Sequence, residues 1–243
     1  MYPTIQAYRN AHLWLIVPIV VILIGFMPSY FLTFATESWG HHLHALSAIA
    51  WFGLMIAQPY LITRGNRHAH RLWGMIGLFL AGAVMFSALS ISPLNVYLGA
   101  KGGFPPAFPA AFYYGIIFPE TLGIIGFGLA VIMAIMKAKQ PQQHAIWMTS
   151  TVFFALLPAW GRMWMAPVFI FQLDASPIDS LYISVPVFLL IIAFVGYRLK
   201  KLTHPSIILA ILVNSFMMFT VQIGSQTWYQ DSVTALMKPL FPW

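Results

Sequence analysis

The chain has 243 residues, of which 60% are hydrophobic and only 7% are charged, and its mean hydropathy is +0.81. This composition excludes an ordinary water-soluble domain and is typical of a polytopic membrane protein. The net charge of +7 does not indicate nucleic-acid binding, because the basic residues are spread over several loops and form no patch. The absence of cysteine excludes disulfides, thiolate metal sites and iron–sulfur clusters.

Seven apolar stretches reach the length of about 20 residues that a helix needs to cross a bilayer. In chain order they cover residues 12–33, 41–62, 70–92, 111–137, 144–170, 181–199 and 205–224. The first is too long for a cleaved signal sequence, so we expect it to be the first span. The prediction is an all-α bundle of seven transmembrane helices. It forms a single transmembrane domain over 1–243, with helices 2 to 5 (41–170) as its core and a long Pro- and Gly-rich loop at 92–110.

The basic residues predict the orientation of the helices in the membrane. Nine of them fall at helix ends on one side: Arg9, Arg64, Arg67, Arg71, Lys137, Lys139, Arg198, Lys200 and Lys201. The other side carries only Lys101 and Lys238. The positive-inside rule therefore predicts a cytoplasmic N-terminus and an outer C-terminus, and we expect a bacterial inner membrane protein with lipids as partners.

Three ionisable side chains are expected in one layer near the outer surface, because charged groups inside a membrane need protein partners. With a rise of about 1.5 Å per residue, His44, Glu120 and Arg162 lie roughly 25 to 27 Å from the cytoplasmic ends of helices 2, 4 and 5. We expect an ion pair between Glu120 and Arg162. Gln222 of helix 7 falls at the same level and would join Arg162 in a polar network.

The segment HHLHA at the start of helix 2 offers metal ligands. His41 and His44 share a helix face, and Glu120 could supply a third ligand for a divalent metal. Such a site would suit a metal-dependent membrane enzyme acting on a lipid-like substrate, whose anionic group Arg162 would bind. The competing interpretation is an ordinary interfacial helix start.

A second histidine set is predicted on the cytoplasmic side, where His70 and His144 begin helices 3 and 5. Two histidines from separate helices at one depth suit bis-imidazole ligation of haem b. Gly74 and Gly77 follow on the face of His70 and would let a neighbouring helix or a flat cofactor approach closely.

Two further interpretations involve residues near these histidines. Trp51 and Gln58 lie on a protein-facing stripe of helix 2 and could border a quinone site. Alternatively, the helix starts together with Arg67 and Arg71 could bind an anion such as a phospholipid headgroup.

Three segments carry a resemblance to a known family: HALSAIAWFGLMIAQPYL (44–61), NRHAHRLWGMIGL (66–78) and HAIWMTSTVFFALLPAWGRMW (144–164). They resemble an uncharacterised bacterial family of polytopic membrane proteins, domain of unknown function 2306, over helices 2 to 5. The resemblance implies no particular activity, and this chain departs from the pattern in having Thr149 where an arginine often follows the Trp-Met pair. It marks the following positions: His44, Gln58, His70, Arg71, Gly74, His144, Trp147, Met148 and Arg162.

A more distant resemblance links the four-helix core to b-type cytochromes. Those proteins use two histidine pairs, one in each leaflet, and only the pair of His70 and His144 fits here. Three functions follow as alternatives, with the question of enzymatic activity left open. We rank a redox-linked component that binds haem or quinone first, a non-catalytic accessory subunit of a larger membrane complex second, and the metalloenzyme third.

Overall fold

A computed structural model describes residues 9–104 and 107–240 of the chain. Seven helices of the described part are long and apolar enough to cross a membrane, which confirms the predicted spans. They are α1 (Ala11–Phe31), α2 (Trp39–Thr63), α3 (Arg67–Ala100), α4 (Ala110–Met136), α5 (Pro141–Ile170), α6 (Pro177–Arg198) and α7 (Pro205–Gly224). A shorter helix, α8 (Thr227–Met237), follows. Between α3 and α4, β1 (Gly103–Phe104) pairs antiparallel with β2 (Phe108–Pro109).

Local sequence signals define where most of these helices begin. Ser38, Asn66 and Ser176 precede α2, α3 and α6, and each side chain accepts a hydrogen bond from a backbone N–H of the first turn. These are the residue types that cap helix N-termini best. Helices α5, α6 and α7 each begin with a proline, whose fixed φ and missing N–H suit the first helical position.

Helix α3 is longer than the sequence predicted. It continues through Pro93 to Ala100, whereas the segment from residue 92 onward was expected to be a loop. A proline inside a helix removes one backbone hydrogen bond. The extra turns bury Val96 in a small apolar cluster with Tyr114 of α4 and Tyr229 of α8, and this packing explains why the helix persists.

The first five helices form a closed ring. Each of α1 to α4 contacts the next helix in the chain, and α5 closes the ring by packing against α1 as well as α4. Helix α6 packs against α5, and α7 contacts α4, α5 and α6 from outside the ring. At the contact of α4 with α7 the two backbones nearly touch, because a Cβ at Gly115 would overlap the carbonyl oxygen of Thr220.

The outer surface of the bundle is strongly apolar. Large side chains such as Leu46, Phe79 and Leu190 are between 69% and 81% exposed. Together with the seven long apolar helices, this surface identifies an integral membrane protein. We call the end of the bundle that holds His70 and His144 the inner end, and the end that holds His44 and Arg162 the outer end. These names follow the predicted orientation, which stays a prediction.

Candidate functional site

The inner end brings together the two histidines predicted to lie at one depth. His70 stands in the first turn of α3 and His144 in the first turn of α5, and the centres of their rings are 6.3 Å apart. The ring planes meet at 79°, which is an edge-to-face arrangement. We refer to His70 and His144 as the inner pair. The depth argument from the sequence thus placed these two side chains correctly.

A backbone carbonyl of α4 assigns the protonation of His144. Its Nδ1 lies 2.8 Å from the carbonyl oxygen of Ala134, near the end of that helix. A carbonyl oxygen only accepts hydrogen bonds, so the Nδ1 of His144 must carry the hydrogen. In the neutral imidazole, Nε2 then carries the lone pair.

Gln58 of α2 assigns the opposite tautomer to His70. The amide orientation that satisfies both of its ends places the nitrogen against Nδ1 and the carbonyl oxygen of His70, and the oxygen 3.0 Å from the backbone N–H of Gly74. Since the amide nitrogen donates to Nδ1, the hydrogen of His70 must be on Nε2. Within the described residues, neither Nε2 of the inner pair makes a hydrogen bond, so His70 presents a donor and His144 an acceptor to a ligand.

The glycines beside His70 have different roles. Gly74 is exposed and has room for a Cβ, which would lie 3.9 Å from the Gln58 amide. Gly77 is buried, and a Cβ there would overlap the side chain of Leu54 of α2. Of the two predicted uses of this groove, the structure shows the approach of a neighbouring helix at Gly77.

An apolar plug separates the inner end from the outer end. Trp51 is 1% exposed and packs edge-to-face on Phe127, with ring centres 4.9 Å apart. Its indole N–H donates to the hydroxyl of Thr151, at 3.2 Å, and Thr151 in turn donates to the carbonyl of Met148. Trp51 belongs to the packed centre of the ring and lies seven residues, or about two helical turns, from Gln58.

At the outer end, His44 has a neutral partner on α3. Its Nδ1 lies 3.2 Å from the hydroxyl of Ser87, which is fully buried and also lies 3.0 Å from the hydroxyl of Ser47. Ser47 donates to the carbonyl of His44 itself. This contact gives Nδ1 of His44 an uncharged partner within the helix ring.

Glu120 and Arg162 share the outer layer but do not form the expected ion pair. Among the described residues, Glu120 accepts a hydrogen bond from Asn95 at 3.2 Å, whereas Arg162 donates to the carbonyl of Pro158 at 3.2 Å. The guanidinium also lies 4.7 Å from the ring centre of Phe26, in a cation–π contact. The charges of Arg162 and Glu120 are nevertheless close enough to interact electrostatically. The direct pair was wrong because the arginine side chain turns back along its own helix.

Helix α8 covers this layer from the outside. Tyr229 is buried against Val96, Tyr114 and Ile117, and burial, followed by the negative charge of Glu120, raises the pKa of Tyr229 to about 12. The carboxylate of Glu120 therefore lies beneath a helix that the sequence did not predict.

The structure does not bring the proposed metal ligands together. Nδ1 of His41 lies 2.7 Å from a carboxylate oxygen of Glu37, and His44 and Glu120 have the separate partners described above. No group of three or more His, Asp or Glu side chains that could hold a metal ion occurs in the described part of the chain. His42 contacts the hydroxyl of Tyr30 at 2.9 Å.

Three other predicted site residues lie at the surface. Gln222 is exposed and does not face the ring interior, and its predicted level stays a prediction. Arg67 and Arg71 are exposed at the inner end, and Arg71 interacts electrostatically with His70.

No family model, curated protein or solved structure matches the chain. The family resemblance stays a prediction.

Proposed function

We propose that the protein is a redox-linked integral membrane protein that binds the headgroup of a quinone at the inner pair. The observation that carries this proposal is the opposite tautomers of His70 and His144. A quinone carbonyl needs a hydrogen-bond donor, and the hydroxyl of the reduced form needs an acceptor. The inner pair offers both, from two helices, at one depth of the membrane.

Access from the lipid supports the same proposal. All residues from Arg71 to Ile76 are exposed, so this segment near the start of α3 is covered little by other helices. A quinone is apolar and dissolves in the bilayer, and it can approach His70 along this open helix. The exposed apolar side chains of Leu72 and Ile76 suit the tail that such a molecule carries.

Haem b ligated by the inner pair is the second candidate, and one distance favours it. Two imidazoles on one metal would have ring centres roughly 6 Å apart, from metal–nitrogen bonds of about 2 Å on each side. The observed separation is 6.3 Å. Against this candidate, ligation needs a lone pair on both Nε2 atoms, and the contact with Gln58 places a hydrogen on that of His70.

The experiment is a calorimetric titration of the detergent-purified protein with a short-chain ubiquinone. His144→Ala removes the acceptor, and we expect the dissociation constant to rise about tenfold, the effect of losing one hydrogen bond of about 1.4 kcal/mol. His68→Ala is the matched control, because His68 is an exposed histidine of the same helix turn as His70. Equal affinities for both variants would refute the proposal.

An absorbance spectrum of the same preparation separates the two candidates. If the protein binds quinone and no haem, the spectrum has no Soret band, and solvent extraction yields quinone in proportion to protein. A Soret band that disappears in both His70→Ala and His144→Ala would instead establish haem ligation and overturn the quinone assignment.

The orientation and location form part of the proposal. Among the cations at helix ends, those of the inner end outnumber those of the outer end by nine to two, with Arg162 inside α5 left out of the count. This supports a cytoplasmic inner end in a bacterial inner membrane. The quinone would then bind near the cytoplasmic surface. Accessibility of a single cysteine introduced at exposed Lys139, probed in intact cells with a membrane-impermeant reagent, tests this: labelling without lysis would contradict it.

A further inference from the structure

A groove outside the helix ring lies between α4, α5 and α7 at the inner end. Its volume is about 480 Å³, within the range of ligand-binding pockets. Leu129 and Met133 of α4 form its apolar wall, and Lys137 follows one turn later at the end of that helix. From Leu129 to Lys137 the helix rises about 12 Å, so the groove runs from the membrane interior to its surface.

The surface end of the groove is polar. It is lined by Lys137, Gln140, Gln143, Trp147 and His204. His204 and Gln143 are bonded to each other, with 2.6 Å between Nε2 and Oε1, and the ring of His204 packs edge-to-face on Trp147. Trp147 is only 5% exposed, and its indole N–H has no hydrogen-bond partner among the described residues. It is therefore available to an oxygen atom of a ligand.

The charge around the groove selects an anionic ligand. Lys137 lies in the groove, and Lys201 is close enough to His204 to act on it electrostatically. All five acidic residues of the chain lie elsewhere, near or in the outer half: Glu37, Glu120, Asp174, Asp179 and Asp231. None of these five side-chain carboxylates is therefore placed to neutralise Lys137.

We propose that this groove binds one phospholipid with an anionic headgroup. Its phosphate accepts from the Lys137 ammonium and the Trp147 indole, and one acyl chain lies along Leu129 and Met133. A free phosphate would use the polar end alone and leave the apolar wall uncovered, which is why the lipid is the occupant that matches the whole groove.

This site is separate from the inner pair. Gln143 and Trp147 stand one turn apart on the face of α5 that meets α7, whereas His144 and Thr151 stand on the face that meets the ring interior. The groove can thus be occupied whether or not the inner pair binds a quinone, and its test is independent of that proposal.

Native mass spectrometry of the delipidated, detergent-purified full chain tests the site. Titration with phosphatidylglycerol and with phosphatidylcholine should give one saturable adduct that favours phosphatidylglycerol. Lys137→Gln should weaken phosphatidylglycerol binding about fivefold, the effect of one cation at a membrane surface, and Lys137→Arg should restore it. Lys139→Gln is the matched control, since Lys139 is exposed two residues further on and lies outside the groove.

Three results would overturn the proposal. Equal weakening by Lys137→Gln and Lys139→Gln would reveal general attraction between the basic inner end and anionic lipid. Equal affinity for the two lipids would show that the groove does not select an anionic headgroup. Inorganic phosphate that binds as tightly as the lipid, and through Lys137, would assign the groove to a free anion. Trp147→Phe keeps the packed ring and removes the N–H, so its unchanged lipid affinity would exclude the indole contact.

Discussion

The two ends of the helix ring satisfy their polar side chains in different ways. At the outer end His44, Glu120 and Arg162 each have an uncharged partner of their own: a serine hydroxyl, an asparagine amide and a backbone carbonyl. At the inner end His70 and His144 are bonded only through Nδ1, as His44 is, but their ring centres lie 6.3 Å apart, so two open Nε2 atoms of opposite protonation stand close together. A polar side chain with its own uncharged partner helps to hold the helices together, whereas two neighbouring imidazoles with open nitrogen atoms can bind one ligand.

The largest effect on stability is expected at the outer end. Ser87→Ala removes the hydroxyl that contacts both His44 and Ser47, and Ser87 is fully buried. Leaving buried polar groups without a partner costs about 1 to 3 kcal/mol, so the free energy of unfolding should fall by about 2 kcal/mol. Thermal or denaturant unfolding in detergent measures this change.

Ser90→Ala is the control for that substitution. Ser90 lies three residues further along α3, is exposed, and bonds only to a carbonyl of its own helix. We expect a change within about 0.5 kcal/mol. Quinone affinity should stay the same in both variants, because the apolar plug around Trp51 separates the two ends. Reduced quinone affinity in folded Ser87→Ala protein would show that the outer end is coupled to the inner end.

A smaller effect, on ligand affinity and not on stability, is expected from Gln58→Glu at the inner end. A carboxylate accepts hydrogen bonds only, so it would draw the hydrogen of His70 to Nδ1 and leave a lone pair on Nε2. The inner pair would then present two acceptors. We expect about a tenfold loss of quinone affinity, or roughly 1.4 kcal/mol, together with a gain of haem binding when haem is added.

Gln142→Glu is the matched control. Gln142 is exposed in the first turn of α5, and the substitution adds the same negative charge as Gln58→Glu. Titration with the short-chain quinone and the absorbance spectrum after addition of haem measure both properties. If Gln58→Glu binds quinone as the unaltered protein does, Gln58 does not set the tautomer of His70, and the distinction between the two ends would lose its basis.

Much of the fold is predictable from hydropathy, since the bilayer imposes the length of each span and backbone groups can be satisfied there only within helices. The continuation of α3 beyond residue 92 was not predictable in this way. Ser92, Pro93 and Asn95 are typical of a loop. Only the packing of this segment against α4 and α8 shows that it is helical.

The candidate site was predictable in depth but not in partners. Counting residues from helix ends placed His70 level with His144, and the contact between their rings agrees. The same counting could not distinguish an ion pair of Glu120 and Arg162 from separate partners, because side-chain direction depends on helix rotation. Asn95 was missed because its segment was predicted as a loop, and Ser87 because hydroxyl groups are common in membrane helices. Gln58 lies five residues before the end of α2 and His70 three residues after the start of α3, and this similar depth could have linked the two residues.

The smallest expected effect is on the pH dependence of stability and concerns His204, which lies before α7 near the inner end but outside the ring. Its Nδ1 accepts from the backbone N–H of Ser206, so the neutral ring caps the helix. Burial, followed by the positive charge of Lys201, lowers the pKa of His204 below its ordinary value of 6.5. As the pH falls below about 6.5, the unfolded chain takes up a proton before the folded protein does, and stability decreases.

His204→Asn should remove this pH dependence, because asparagine caps helices without titrating. Unfolding temperatures at pH 7.5 and pH 5.5 provide the measurement, with His68→Asn as the control at an exposed histidine of the inner end. We expect the difference between the two temperatures to shrink only in His204→Asn, by an amount equivalent to a few tenths of a kcal/mol. An equal change in both variants would mean that the acid sensitivity arises from the positive charge of the inner end as a whole and not from the helix cap.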